Sequence, residues 1–280
     1  MPLSLILGLA AALAWGIHDV SVRRVTREGA LLAPLFWVLA AGTALVVAAL
    51  PAAGGGVPEG RALGAALAAG AAFGLCGCAL YRAFSIGPVR LVAPVIGAYP
   101  ILSVLIAALQ GAPVSAPQWL AVLAVVAGVG LVAGGGRGEA PDAAGLRALP
   151  WAAAAGAGYA ASFALGQEAS QGAGDLGALA VTRLAACAVV GALALALRLP
   201  LRPARGTAAL ITLMGACDAL ALGAVMAAGP LPRPEFASVA ASMFGLVTIV
   251  LAWLLLGERM RPRQWIGVGA AFGAIGWLSL

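Results

Sequence analysis

Apolar residues fill this chain in long runs, and the polar residues fall between them. Breaks at Pro, Gly and Arg divide it into ten apolar segments, with cores at 3–22, 31–50, 62–81, 91–109, 117–133, 151–167, 178–198, 207–228, 236–256 and 264–280. Most approach the roughly 20 residues a helix needs to cross the hydrocarbon core of a bilayer. The pattern therefore predicts an all-α integral membrane protein of ten transmembrane helices. The division between the third and fourth segments rests on the Gly87-Pro88 turn signal. The longest polar interval, Gly134 to Pro150, holds Arg137, Glu139, Asp142 and Arg147 and parts the segments into two sets of five, read as units 1–136 and 150–280. The apolar run from Leu3 continues through Trp15-Gly16 to His18-Asp19 with no basic residue before it, which reads as a retained first helix and not a signal peptide.

Composition sharpens the class. Residues are 63% hydrophobic and 9% charged, with a mean hydropathy of +1.05, whereas soluble domains carry about 25% charged residues. Soluble enzymes, secreted disulfide scaffolds and disordered chains are thereby excluded. All 16 basic residues are arginines, set singly or in threes between apolar runs. Such clusters orient helices in a membrane, so the net charge of +6 does not point to nucleic acid. Cys76, Cys78, Cys187 and Cys217 lie inside apolar runs as small hydrophobes, and one histidine, His18, is too few for a zinc site. No phosphate loop or nucleotide motif appears, so no cofactor and no ATP coupling are expected.

The two halves resemble each other. At a constant offset of 146, Val104-Leu105 aligns with Val250-Leu251, Gly111 with Gly257, Gln118-Trp119 with Gln264-Trp265, and Gly130 with Gly276. The Gln-Trp pair is hard to obtain by chance in a composition dominated by Ala, Gly, Val and Leu, and it argues for an internal duplication. Five helices is an odd number, so the second copy enters the membrane upside down. Arginine placement agrees. Arg23, Arg24 and Arg27 follow segment 1, and none follows segment 6. None follows segment 4, and Arg259, Arg261 and Arg263 follow segment 9; Arg61 alone follows segment 2, against Arg198, Arg202 and Arg205 after segment 7. Arginine-rich loops stay in the cytoplasm, which puts both termini on the periplasmic side. Inverted repeats of this kind are characteristic of secondary transporters, with a site near the midplane.

The C-terminal hairpin, residues 237–267, closely resembles the EamA-type branch of the drug/metabolite transporter superfamily, through the Leu-Gly-Glu-Arg turn from Leu256 to Arg259 followed by Gln264 and Gly267. Ala14-Trp15-Gly16 is similar to that branch's opening segment. The first copy is weaker: Pro94, Pro100 and Gln118-Trp119 are present, but Ala112 stands where the second copy has Glu258. The resemblance implies two inverted five-helix repeats in the inner membrane, a cavity among helices 1, 3, 4, 6, 8 and 9, scaffold helices 5 and 10, and export of amino acids or related metabolites. Uptake and multidrug efflux are the alternatives within that class. An intramembrane enzyme using His18 and Asp19 is the rival outside it, and it lacks further acids or a nucleophile.

Polar groups in the apolar runs are the candidate site. Asp218, midway along segment 8, is a candidate ammonium ligand or proton carrier; the structural alternative is an ion pair with Arg183. Trp15, His18 and Asp19 share a face of segment 1, so His18 and Asp19 are further proton candidates, against a packing role for His18 and a helix-end salt bridge from Asp19 to Arg23. Arg183 reads as a residue that snorkels to the interface or meets a substrate carboxylate. Gln167-Glu168 reads as a solvated end of segment 6, and Tyr81-Arg82 as interfacial anchors. Tyr99, Tyr159, Ser162 and Ser242 complete an amphipathic pocket for a small molecule with an apolar body and a polar end, although small residues and serines also serve helix packing. Pro94 and Pro100 suggest a hinge in segment 4. Whether the chain is a monomer or a homodimer stays open.

The charge asymmetry makes a direct prediction about orientation. A single cysteine added at either terminus, in a chain freed of its four native cysteines, is labelled by an impermeant maleimide from outside the cell. Labelling only after the cytoplasm is exposed refutes that orientation.

Overall fold

The computed structural model describes residues 2–25, 32–53, 56–86, 95–133, 143–173, 175–202, 206–256 and 262–278. The described residues form helices and no strands: α1 (Leu3–Val25), α2 (Leu32–Ala53), α3 (Gly60–Ile86), α4 (Tyr99–Leu109), α5 (Ala116–Ala133), α6 (Ala143–Ala173), α7 (Asp175–Ala196), α8 (Ala208–Met226), α9 (Glu235–Ala241), α10 (Phe244–Leu256) and α11 (Pro262–Leu278). By length and composition, α2, α3, α7 and α8 alone already suffice to cross a membrane. The Gly87-Pro88 turn, Pro94, Arg27, Arg205 and the Glu258-Arg259 turn lie outside the described residues, as do the side chains of Arg23, Arg24 and Gln264.

Two expected elements differ. The sixth segment, read as ending at 167, continues to Ala173, because Gln167 and Ser170 are buried against neighbouring helices and do not mark a helix end in water. The ninth segment is not one helix but two, α9 and α10, parted at Ser242-Met243.

Surface and core follow the logic of lipid solvent. Along α1, Leu3, Ile6, Leu13 and Ile17 are exposed, while Ala11, Ala12, Ala14 and Trp15 are buried. Large apolar side chains cost nothing against lipid tails, and small ones let helix backbones approach. Helix pairing is symmetric between the copies. α3 packs on α6 and α7, while α8 packs on α1 and α2; α2 meets α7, and α5 meets α11. Exchanging the two copies maps this pairing onto itself.

The symmetry holds at the atomic level. An added Cβ on Gly70 would strike the Thr182 carbonyl and Ala185 Cβ, and one on Gly215 would strike the Val38 carbonyl and Ala41 Cβ. Gly70 and Gly215 are 145 residues apart, and Val38–Thr182 and Ala41–Ala185 are each 144 apart. These are the same helix crossing built twice. The protein is an all-α membrane protein of two inverted five-helix repeats.

One helix in each repeat is broken at matching places. A turn at Gly97-Ala98 precedes α4, and Pro100, lacking an N–H, stands in its first turn. At the matching break of the second repeat, Ser242-Met243, no proline is present. There Ser242 N–H is shared between the Ser238 and Val239 carbonyls, both at 3.2 Å, Met243 N–H reaches Ala240 O at 3.1 Å, and Ser242 Oγ donates to Val239 O at 2.7 Å. This is local tightening toward 3₁₀ geometry with a serine hydroxyl competing for the backbone.

Replacing Gly215 with Ala sets a Cβ 2.7 Å from Val38 O and Gly42 N, with backbone on both sides. We expect the thermal midpoint in detergent to fall by several degrees. Gly64→Ala, where nothing lies within 4 Å, is expected to leave the midpoint unchanged or raise it slightly. Equal midpoints for the two variants would refute the α2–α8 crossing.

Candidate functional site

The centre of the molecule holds a buried ion pair. Arg183 on α7 is fully buried, and its Nη1 donates to Asp218 Oδ2 on α8 at 2.9 Å. Nη2 donates to the Leu39 carbonyl of α2 at 3.3 Å. The other carboxylate oxygen, Asp218 Oδ1, accepts Trp15 Nε1–H from α1 at 3.0 Å. Asp218 therefore has both oxygens engaged, and four helices from both repeats meet at one charge pair. Gly42 makes the space, because a Cβ there would collide with Arg183 Nη2. The snorkelling expected of Arg183 does not occur. A carboxylate and a backbone carbonyl engage its two terminal nitrogens inside the bundle, while Nε has no partner among the described residues. The ion pair weighed for Asp218 is the arrangement present.

Trp15 also begins an aromatic layer. Its ring stacks on Phe163 at 5.4 Å and 22°. Phe163 meets Tyr99 edge-on at 5.5 Å and Tyr159 at 5.7 Å, and Tyr159 meets Phe73 at 5.8 Å. Such offset and edge contacts are favourable beyond the area they bury. The Tyr159–Phe73 contact occupies the symmetry position of Trp15–Asp218, since residues 15 and 159 are 144 apart and 73 and 218 are 145 apart. An indole–carboxylate hydrogen bond at one symmetry position thus stands where the other has a ring pair.

On one side of this layer lies a cavity of about 630 Å³. Its wall comes from α3 (Arg61), α4 (Ser103, Gln110), α6 (Gln167, Glu168) and α9 (Glu235). Tyr99 lies one helical turn before Ser103, and Phe163 one turn before Gln167, so the aromatic layer lies beneath the lining residues without entering the lining. The two broken helices, α4 and α9, pack against each other and both contribute to it. At the rim, Arg61 Nε donates to Glu168 Oε1 at 2.6 Å, with the arginine side chain 90% exposed. Deeper, Glu235 is buried, and Arg233 Nε donates to its Oε1 at 2.5 Å. Arg233 also reaches Gln118 Oε1 of α5 at 3.2 Å and lies 4.5 Å over the Phe236 ring.

On the other side of the layer, His18 Nδ1 and Asp19 Oδ1 are 3.0 Å apart on α1. Tyr81, buried with its hydroxyl unpartnered, lies within the fields of Asp19 and Asp218.

The sequence-derived candidates are therefore distributed among three places. Trp15 and Asp218 belong to the central network, Tyr99 and Tyr159 to the aromatic layer, and His18 and Asp19 to the far side. Ser162 Oγ donates to the Ala69 carbonyl at 2.9 Å and Ser242 Oγ stays within its own helix, so both hydroxyls serve backbone groups. None of these eight lines the cavity. Gln167, read as a solvated cap, is buried and donates to the Val225 and Pro234 carbonyls. Glu168 pairs with Arg61 at the cavity rim and not with water alone. Ser103 and Glu235 escaped the sequence reading. A lone serine is unremarkable in an apolar run, and Glu235 follows Pro234 just outside the ninth segment. A carboxylate opening an apolar run after a proline-rich turn is the signal that was available.

No described group of histidine, cysteine and acidic residues has the arrangement of a metal site. Removing one partner of a buried ion pair costs about 3–5 kcal/mol, whereas replacing both by apolar groups is often neutral. We expect Asp218→Asn to lower the thermal midpoint sharply, and Arg183→Met with Asp218→Leu to recover most of it. A single variant as stable as the parent would refute a structural role for the pair.

Comparison with known proteins places this geometry in a family. No curated protein matches the chain. A solved crystal structure, described only as that of a protein, is similar at 16% identity with a TM-score of 0.81, covering 99% of this chain and 96% of that one. At such identity the likeness concerns the fold alone. The EamA-like transporter family matches residues 2–134 and again residues 146–280, one match on each repeat. A doubled match spanning nearly the whole chain, one on each repeat of a helical bundle, establishes that this protein belongs to the EamA-like transporter family.

Proposed function

We propose that the protein is a secondary active carrier of the inner membrane, exporting a small amphipathic metabolite, with amino acids as the first class to test. The observation that carries this reading is the cavity. It is walled by helices of both repeats, from Arg61 and Gln110 to Gln167 and Glu235, and the Trp15–Phe163–Tyr99–Tyr159 layer lies beneath it. In the orientation read from the arginines, this cavity lies toward the periplasmic side.

The moving units in this reading are not the sequence copies 1–136 and 150–280 themselves. Packing groups α3, α4, α6 and α7 on one side, and α1, α2, α8 and α9 on the other. Rocking of one group against the other, with the breaks at 97–98 and 242–243 as hinges, would close the mouth and part the aromatic layer. No covalent chemistry is involved. His18 and Asp19, on the cytoplasmic side of the layer, are the candidates for proton coupling. Asp218, with both oxygens engaged, serves chiefly to hold the groups in register.

Reconstitution in proteoliposomes tests the reading. Amino acids, amines, polyamines and dyes are offered with and without a pH gradient, to vesicles of both orientations. Accumulation of at least one solute class is expected, and its loss is expected in a variant carrying Trp at Ala160 or Ala164 on the cavity wall. If no solute moves under any gradient, the carrier reading fails.

A further inference from the structure

The hydrogen-bonding groups of the cavity are one-sided. Gln167 Nε2 spends its donors on Val225 O at 3.1 Å and Pro234 O at 2.9 Å, which leaves its carbonyl oxygen. Gln171 Nε2 donates to Gly229 O at 3.1 Å. Arg61, the lining arginine, is paired to Glu168 at the rim and bathed in solvent. What the depth of the cavity offers is acceptors. The Glu235 carboxylate is 4% exposed, with one oxygen held by Arg233 and no second hydrogen bond among the described residues. The Ser103 hydroxyl, on a residue 5% exposed, lines the same cavity and has no partner at all among the described residues. A buried hydroxyl left without a partner is costly and calls for an explanation.

Exposure also biases the field. Arg61 is 90% solvated, so water and salt screen its charge, whereas Glu235 is almost wholly withdrawn from solvent. Arg233, outside the lining, divides its donors between Glu235 and Gln118 and rests on the Phe236 ring. It positions the carboxylate without filling the cavity. An anion entering to this depth would meet the Glu235 carboxylate beside the hydroxyl-bearing Ser103 and Ser238. A cation carrying N–H donors would meet a carboxylate oxygen from α9 and an unpartnered hydroxyl from α4.

We infer that Glu235 and Ser103 form a subsite for an organic ammonium group, with Arg233 as the positioning residue. The ligand's apolar body lies along Ile106, Ala160 and Ala164 above the aromatic layer. A carboxylate on the same ligand is accommodated only at the Arg61 rim and is not required. The inference rests on the reading of this cavity as the substrate's, and it names the charge that the deep end selects.

The test compares two probes of equal length and ring, phenylethylamine and 3-phenylpropionate, binding to the purified full chain in detergent by titration calorimetry. The amine is expected to bind at least about tenfold tighter than the acid. Ser103→Ala is expected to weaken the amine by several-fold to tenfold, with no loss of thermal midpoint because Ser103 has no partner to lose. Glu235→Gln is expected to weaken it by more. Since that variant strands Arg233, Glu235→Gln with Arg233→Gln is measured alongside it, and the amine affinity stays low there while the fold is retained. Equal binding of the acid, parental amine affinity in Ser103→Ala and in the double variant, or no saturable amine binding each overturns the subsite. The carrier reading is separable. Solute transport indifferent to Glu235 would sink the subsite and leave the carrier, and amine binding without transport of any solute would do the reverse.

Discussion

A charge pair sealed inside an apolar bundle is the constraint around which the rest is arranged. Arg183 has no water to fall back on, so every group near it must either satisfy it or give way to it. Asp218 supplies the counter-charge, Leu39 a carbonyl, and Trp15 caps the remaining carboxylate oxygen. Gly42 is small because the guanidinium occupies the volume a side chain would fill. Each participant stands on a different helix, so α1, α2, α7 and α8 are fixed in rotation and depth together. Dispersion between small residues has no such directionality. The pair therefore contributes register more than net stability, in keeping with the heavy desolvation cost of buried ions.

The pair also joins the two packing groups near the axis that relates the repeats. Arg183 belongs with α3 and α6, Asp218 and Trp15 with α1 and α8. By the same offsets Arg183 and Asp218 correspond to Leu39 and Phe73, which carry no charge, and the Trp15–Asp218 hydrogen bond corresponds to the Tyr159–Phe73 ring contact. Duplication made two equal frameworks, and divergence put electrostatic registration in one and an aromatic surface in the other. A carrier whose two states differ by a rocking of these groups is served by such asymmetry. A charge pair near the axis moves little, while rings can slide past one another at modest cost.

The cavity shows the same economy in polar groups. The amide donors of Gln167 and Gln171 are committed to backbone carbonyls at helix ends and turns, on Val225, Pro234 and Gly229. The helix breaks that create those orphan carbonyls also open the volume. Selectivity then falls to the few groups left uncommitted, Glu235 and Ser103. Their surroundings are kept neutral overall by Arg233 and Arg61, so the empty cavity carries no large burial penalty.

Much of this was legible in the amino-acid sequence. Membrane class, helix number, the duplication and its inversion all follow from hydropathy, an odd helix count and arginine placement, because lipid imposes those rules on every segment independently of its neighbours. Family resemblance was legible at the Gln-Trp and Leu-Gly-Glu-Arg motifs. The break at Ser242-Met243 was not, since no proline or glycine marks it and it depends on how local hydrogen bonds are shared. Nor was the fate of individual polar residues. Ser162 and Ser242 look like Ser103 in a one-dimensional pattern, but two of the three found carbonyls and one did not. Arg183 reads as an interfacial residue until Asp218, 35 positions away, is brought to 2.9 Å. The sequence by itself determined which parts must be helical and in lipid, because that is a property of each segment's own transfer energy. The tertiary structure alone decided which polar groups are spent and which remain for a ligand, because hydrogen-bond satisfaction is a property of neighbours in space.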